Sequence, residues 1–131
     1  MYHYQTTIRL YQTDAAGVVF LPNLFVIAHN AYESFLDSRL PLNAILSDGE
    51  YIIPVVHAEA DCLRPLFLSE KIGVALSLDQ IKSSSFSLSY VITNSKTETA
   101  TRLKTTHAVR SRETQKKISI PDSVKNALEA L

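Results

Sequence analysis

The sequence is poor in the residues on which several classes of site depend. It contains one cysteine and three glycines in 131 residues. A single cysteine, Cys62, excludes an intrachain disulfide, and three scattered glycines leave no Gly-rich phosphate-binding loop. No HExxH or CxxC spacing is present, and the histidines lie on different predicted elements: His3, His29, His57 and His107. We therefore expect neither a zinc site nor a bound cofactor.

An excess of one charge and a long apolar segment are also missing. The 13 Lys and Arg residues balance 13 Asp and Glu residues, so the chain lacks the basic surface that nucleic acid requires. No apolar run approaches the roughly 18 residues of a membrane-spanning helix, and residues 1–10 have no signal-peptide core. These features predict one cytoplasmic domain over residues 1–131, with no nucleic acid or membrane as partner.

Hydrophobic periodicity predicts one long helix and five strands. The helix covers residues 22–38, because Leu24, Ala28, Ala31 and Phe35 recur on one face. A short helix follows Pro121, with Asp122 or Ser123 as its cap, and residues 40–51 are irregular. Alternation of apolar and polar residues predicts strands over 3–11, 55–63, 71–82, 85–94 and 100–112. Strands in succession after a helix are typical of an α+β fold with an antiparallel sheet.

The predicted sheet needs cover on both faces. The 22–38 helix is long and apolar enough to cover one face, and the small residues Ala58, Ala60 and Cys62 would let it approach closely. Apolar groups on the other face predict packing against a second copy of the chain. The strand alternation places His57, Glu59 and Asp61 on the polar side of their strand.

The most informative segment joins the first strand to the long helix. Asp14 lies in a loop of small residues that ends at Gly17, and Leu21 stands at the helix start. Backbone N–H groups at a helix start lack intrahelical partners and favour a developing negative charge. A carboxylate beside such donors suits acyl transfer. Taken by itself, Asp14 could equally serve only to cap a turn.

The segment Asp14-Ala15-Ala16-Gly17-Val18-Val19 resembles the D-x-x-G-hydrophobic-hydrophobic motif of the 4-hydroxybenzoyl-CoA thioesterase-like branch of the hotdog-fold superfamily. Pro22 and Asn23 follow it, and the order of predicted elements matches that fold across the chain. The resemblance implies a curved antiparallel sheet wrapped around a long central helix. It also implies an acyl-CoA substrate and a homodimer or a homotetramer built as a dimer of dimers.

The resemblance also implies roles for individual residues. Asp14 would be the catalytic carboxylate, acting either as a nucleophile or as a general base, and the backbone N–H of Leu21 would be the oxyanion donor. Gly17 would let the chain turn in against the thioester. The acyl group would lie among Phe20, Tyr32 and His57, with Glu33 as a further candidate. The alternatives are core positions for the two aromatic residues and a helix-surface pair for Glu33 with His29.

Strand ends carry the cations that a CoA phosphate would need, and we name Arg64, Lys82 and Arg110 as candidates, with Arg112 beside them. For any one of them a solvated surface charge is the alternative.

Two further stretches, residues 29–36 and 54–61, are similar to cyanobacterial 1,4-dihydroxy-2-naphthoyl-CoA thioesterases of phylloquinone biosynthesis. The alternatives are a thioesterase for other short acyl or aroyl groups on CoA or acyl-carrier protein, and a non-catalytic acyl-CoA-binding hotdog domain.

Overall fold

The fold is built on an antiparallel β-sheet. The computed structural model describes residues 1–42 and 49–131. The strands are β1 (Tyr2–Thr7), β2 (Tyr51–Ile52), β3 (Val55–Cys62), β4 (Lys71–Ile81), β5 (Ser85–Thr93), β6 (Thr99–Ala108) and β7 (Arg110–Ser111). Five of them form one sheet in the order β1-β4-β5-β6-β3, while β2 pairs with β7. The helices are α1 (Leu21–Asp37) and α2 (Asp122–Glu129).

The predicted alternation is confirmed in the central strands. Ile72, Val74 and Leu76 of β4 are buried on the inner face of the sheet. Every second residue of β5 from Phe86 to Ile92 is also buried on that face. Breaks in register interrupt the pairing at Leu78/Gln80, Ile92/Thr93 and Val55/His57. Such bulges bend strands and increase their twist. The predicted strand over 100–112 is divided, because the chain leaves β6 at Ala108 and then pairs with β2.

The predicted helix over 22–38 corresponds to α1, which begins and ends one residue earlier. Its apolar face is buried as expected and belongs to the same core as the inner face of the sheet. Contacts with β1 hold the second half of the helix: the Tyr2 and Phe35 rings are 5.5 Å apart, and the Tyr2 hydroxyl is 2.6 Å from Ser34 Oγ. Within the described residues no helix is long and apolar enough to cross a membrane.

The chain leaves β1 earlier than the alternation predicts. The strand ends at Thr7, and Leu10–Gln12 form a 3-10 turn in which the Gln12 N–H donates to the Arg9 carbonyl. Strand alternation would place Leu10 on the same face as Ile8, but Leu10 is 73% exposed and Ile8 is buried. At the other end of the chain, Val124, Ala127 and Leu128 of α2 are buried. Pro121 occupies the N-cap position, and no side chain caps the helix.

Strand β3 does not form the close contact with the helix that its small residues suggested. It is an edge strand, so Ala58 and Cys62 are exposed, and Ala60 is the residue of this trio that packs against the core. The outer sheet face is more polar than expected. Ala75 and Val91 are apolar residues on it, but polar side chains occupy most of that face, as in the row Ser77–Ser89–Lys104–Glu59. A salt bridge of 2.7 Å joins Lys104 to Asp79.

His107 is a buried polar residue within the core. Its ring stacks on Phe86 at 4.8 Å and lies 4.7 Å from the Tyr32 ring. Nε2 is 2.9 Å from Thr105 Oγ1, which is 3.0 Å from the Tyr90 hydroxyl, whereas Nδ1 has no partner within the described residues. Burial, assisted by His29, lowers the His107 pKa from 6.5 to about 4, so the ring is neutral at physiological pH.

The buried imidazole makes the fold sensitive to acid. The unfolded chain takes up a proton at His107 below pH 6.5, but the folded chain does so only below about pH 4. Stability is therefore complete above pH 6.5 and falls as the pH drops towards 4. We expect His107 to lower the free energy of unfolding by about 2 kcal/mol at pH 5 relative to pH 7.5. Urea denaturation at both pH values measures the change, and His107→Phe should lack this part of it. An equal acid dependence in both proteins would contradict the assignment.

Candidate active site

Asp14 is held in a tight turn by its own backbone. Its Oδ1 accepts hydrogen bonds from the N–H groups of Ala16, at 2.9 Å, and Val18, at 3.3 Å. The Asp14 N–H donates to the Val18 carbonyl at 2.9 Å, and Thr13 bridges to Val19 across the turn. The side chain is exposed, and Oδ2 accepts no hydrogen bond from the described residues. Asp14 thus caps its turn with one oxygen and presents the other to solvent.

Gly17 closes this turn in a conformation that favours glycine. Its φ is +76°, and its N–H donates to the Asp14 carbonyl at 3.1 Å. The Gly17 carbonyl accepts from the Leu68 N–H at 2.9 Å, and Val18 bridges to Phe67. The positive φ therefore lets the Gly17 N–H bond within the turn while the Gly17 carbonyl bonds to the segment after β3.

The backbone of Gln12 fixes the start of α1 relative to the Asp14 turn. Its carbonyl accepts from the Phe20 N–H at 3.0 Å and from Asn23 Nδ2 at 2.8 Å. The helix begins at Leu21, and Pro22 is its second residue. No side chain caps this end of the helix. The Leu21 N–H has no acceptor within the described residues, as its place at the helix start predicts. The structure therefore brings Asp14, Gly17, Phe20 and Leu21 together.

Apolar side chains surround this arrangement without being buried. Phe20 is 57% exposed, Leu21 50% and Phe67 52%. Phe67 and Leu68 also line a cavity of about 520 Å³ with Arg64. The Arg64 guanidinium donates to the Thr99 carbonyl at 2.6 Å and pairs with Glu98 at 3.4 Å. Of the three cations named for CoA, Arg64 thus lies on the segment that contacts the Asp14 turn.

The other predicted site residues lie elsewhere in the chain. His57 is exposed near the start of β3, 3.8 Å from Glu59, and shares a hollow of about 260 Å³ with Lys82. His57 lies six residues before Leu63, the position at which the chain has left β3 and turns towards the Asp14 loop. At about 3.3 Å per residue, that separation is roughly 20 Å. Arg110 lies in β7, with its guanidinium 3.4 Å from the Gln115 carbonyl. One chain does not bring His57, Lys82 or Arg110 to Asp14.

Tyr32 lies in the wall of a separate cavity along α1. The residue is buried, and burial raises its pKa above the usual 10 for tyrosine, so the phenol stays protonated. The cavity also includes His29 and Glu33, which the sequence suggested as a pair on the helix surface. Neither side chain forms an ion pair or hydrogen bond within the described residues, so that interpretation is wrong.

Several residues that support the site had not been singled out from the sequence. The Asn23 side-chain amide donates to the backbone carbonyl of Gln12, a contact for which the sequence carries no signal. The position of His107 behind Tyr32 depends on how α1 lies on the sheet. No group of three His, Cys, Asp or Glu side chains in residues 1–42 and 49–131 could hold a metal ion.

The fold and the carboxylate turn at a helix start identify the class of protein. The chain belongs to the thioesterase-like superfamily, whose family model matches residues 8–128. The α+β fold is that of the hotdog thioesterases, as similarity to solved thioesterase structures indicates.

Several relatives at 30–38% identity carry the same enzyme name. The 1,4-dihydroxy-2-naphthoyl-CoA hydrolase of Rippkaea orientalis is 35% identical over 99% of this chain and 96% of its own length. The enzyme of that name from Gloeothece citriformis is 38% identical over 91% of this chain and 85% of its own. The crystal structure of a 1,4-dihydroxy-2-naphthoyl-CoA thioesterase from Synechocystis superposes with a TM-score of 0.93 at 30% identity, covering 99% of this chain and 96% of that one.

The positive φ at Gly17 predicts a specific pattern of substitutions. An added Cβ would meet no atom within 4 Å, so the cost of Gly17→Ala is conformational. We expect it to lower the free energy of unfolding by about 1 kcal/mol, and Gly17→Asn by less, because asparagine tolerates the left-handed region. Urea denaturation measures both variants. Equal stability of all three proteins would show that the turn does not require this φ.

Proposed function

We propose that this protein hydrolyses 1,4-dihydroxy-2-naphthoyl-CoA to 1,4-dihydroxy-2-naphthoate and CoA, as in phylloquinone biosynthesis. One observation supports the proposal most: backbone hydrogen bonds join the Asp14 turn to the start of α1, where the Leu21 N–H has no acceptor within the described residues. Relatives that match nearly the whole chain are named for that activity.

The geometry suits two routes to the same products. Oδ2 of Asp14 could attack the thioester carbonyl, forming a mixed anhydride and releasing CoA thiolate, and water would then hydrolyse the anhydride. Alternatively, Oδ2 takes a proton from a water molecule that attacks the carbonyl. The C–S bond then breaks, and the departing CoA thiolate takes up the proton. In both routes the negative charge develops on the carbonyl oxygen, and the Leu21 N–H at the positive end of α1 stabilises it.

The remaining site residues have supporting roles in this proposal. Exposed Phe20 lies beside the oxyanion donor, and Tyr32 lines the cavity further along α1. Arg64 would bind a CoA phosphate, and this role is supported by the cavity that Arg64 lines beside the Asp14 turn. Lys82, Arg110 and His57 could reach this site only from another copy of the chain, and their roles remain predictions.

We further propose a homodimer or homotetramer. Strand β3 is an open sheet edge, and it carries the exposed apolar residues Val55 and Val56. An unpaired edge of this length is a template for a second strand. Light scattering of the purified protein measures the assembly.

The cytoplasmic location also remains a prediction.

Hydrolysis of a panel of thioesters tests the proposed function. We expect the highest kcat/KM for 1,4-dihydroxy-2-naphthoyl-CoA, with benzoyl-, acetyl- and palmitoyl-CoA lower by at least tenfold. About 1–3 kcal/mol from apolar contacts to the ring system is enough for that preference. A higher kcat/KM for another acyl group would support the broader acyl-CoA thioesterase, and no hydrolysis of any member would support a binding domain.

Substitution of the carboxylate tests the role of Asp14. Asp14→Asn keeps an oxygen that can accept from Ala16 and Val18, so the turn should persist, but the amide neither attacks nor takes a proton. We expect kcat to fall by at least 100-fold, while CoA binding, measured by calorimetry, changes little. Asp37→Asn, in an exposed acid at the other end of α1, is the matched control. Half of the wild-type kcat in Asp14→Asn would remove Asp14 from the mechanism.

A further inference from the structure

The cavity along α1 has the size and lining of a small-molecule site. Its volume is about 400 Å³, within the range of about 300–1,000 Å³ that such sites occupy. Apolar groups form most of its wall, and His29, Glu33 and Arg112 supply polar atoms. Arg112 is anchored, because its Nε donates to the Gly49 carbonyl at 2.8 Å. The apolar side chains described in the wall are Tyr32, Leu36, Leu42, Ile52 and Ile53.

This cavity lies on the same side of α1 as the oxyanion donor. Leu21, Phe25, His29 and Glu33 are four residues apart, so they share one helix stripe. At 1.5 Å per residue, the Cα of His29 lies about 12 Å beyond that of Leu21, and that of Glu33 about 18 Å. Long side chains on a helix lean back towards its N-terminus, which brings the His29 imidazole closer to Leu21. His29 is thus the first polar side chain of this stripe beyond the helix start.

The wall behind His29 is already fixed in the free chain. The Tyr32 ring meets the His29 ring edge-on at 5.7 Å, and its other side packs on His107 at 4.7 Å. His107 in turn stacks on Phe86 within the core. A ligand ring therefore meets a preformed surface, which lowers the ordering cost of binding.

The polar atoms of His29 are available to a ligand. The imidazole is exposed, and it has no hydrogen bond or ion pair within the described residues. An imidazole nitrogen can accept a hydrogen bond from a phenolic hydroxyl or donate one to its oxygen. An aromatic group that extends from the Leu21 N–H along the stripe would carry such a hydroxyl towards this ring.

We propose that the cavity holds the ring system of the aromatic acyl group and that His29 binds the ring hydroxyl farther from the thioester. The inference rests on the proposed function, and it adds a residue that sets substrate specificity. The hydroxyl distinguishes the substrate from the same ring without it, because loss of that group leaves His29 facing an apolar edge. His29 does not touch the thioester, so its removal leaves the chemical step intact.

Two substrates that differ by one hydroxyl test the proposal. They are 1,4-dihydroxy-2-naphthoyl-CoA and 1-hydroxy-2-naphthoyl-CoA, and the measurement is the ratio of their kcat/KM values. We expect a wild-type ratio of about ten, the effect of one hydrogen bond. His29→Phe should bring the ratio close to one by lowering kcat/KM for the dihydroxy substrate alone. His29→Gln, which can still form a hydrogen bond, should keep part of the preference. His3→Phe makes the same change at an exposed histidine of β1 and should leave the ratio unchanged.

The outcomes separate this inference from the proposed function. If the wild type hydrolyses both naphthoyl thioesters and His29→Phe keeps the wild-type ratio, the role of His29 is overturned and the proposed function stands. If His29→Phe slows both substrates equally, the residue does not bind the hydroxyl and the inference also fails. If the wild type hydrolyses neither thioester while it hydrolyses other acyl-CoAs, both proposals fail.

Discussion

Burial of one face of α1 against the inner face of the sheet is the constraint on which the structure depends. Ile27, Ala28 and Ala31 of the helix are completely buried, as are Leu76 and Leu88 of the sheet. Full burial of one such leucine or isoleucine side chain contributes about 1.5–3 kcal/mol, so rotation of the helix would lose several such contributions at once. The orientation of α1 is therefore fixed, and with it the direction of the Leu21 N–H and of the stripe that carries His29.

The same packing explains why the candidate site is open in one chain. The buried apolar face of α1 packs on the sheet. The residues at the start of the helix, Phe20 and Leu21, therefore remain exposed beside Asp14. Two further exposed apolar residues, Phe67 and Leu68, come from the segment bonded to the Gly17 carbonyl. Exposed apolar groups around a carboxylate and an unpaired N–H suit a surface that a substrate or another subunit covers.

His107 shows how the core and the cavity are linked. Its neutral ring is stacked between Phe86 and Tyr32, and Tyr32 is also the wall of the cavity along α1. The hydrogen bond to Thr105 keeps Nε2 satisfied, so the polar atom buried without a partner is Nδ1. The imidazole therefore couples the stability of the cavity wall to pH, which an apolar side chain would not do.

Local pattern in the sequence was sufficient for α1, for the central strands and for the Asp14 turn. A 3.6-residue repeat located α1 to within one residue, and strict alternation located β4 and β5, because these periods decide which side chains share a face. Asp14, Gly17 and Leu21 were found together because one continuous segment contains them. What the sequence could not decide depends on partners distant along the chain. The edge position of β3 exposed Ala58 and Cys62, and the pairing of β7 with β2 divided the last strand. The separation of His57 from Asp14 depends on how the sheet folds. The cavity along α1 likewise forms only when α1 has packed on the sheet, because His29, Ile52 and Arg112 are far apart in sequence and meet by tertiary contact alone.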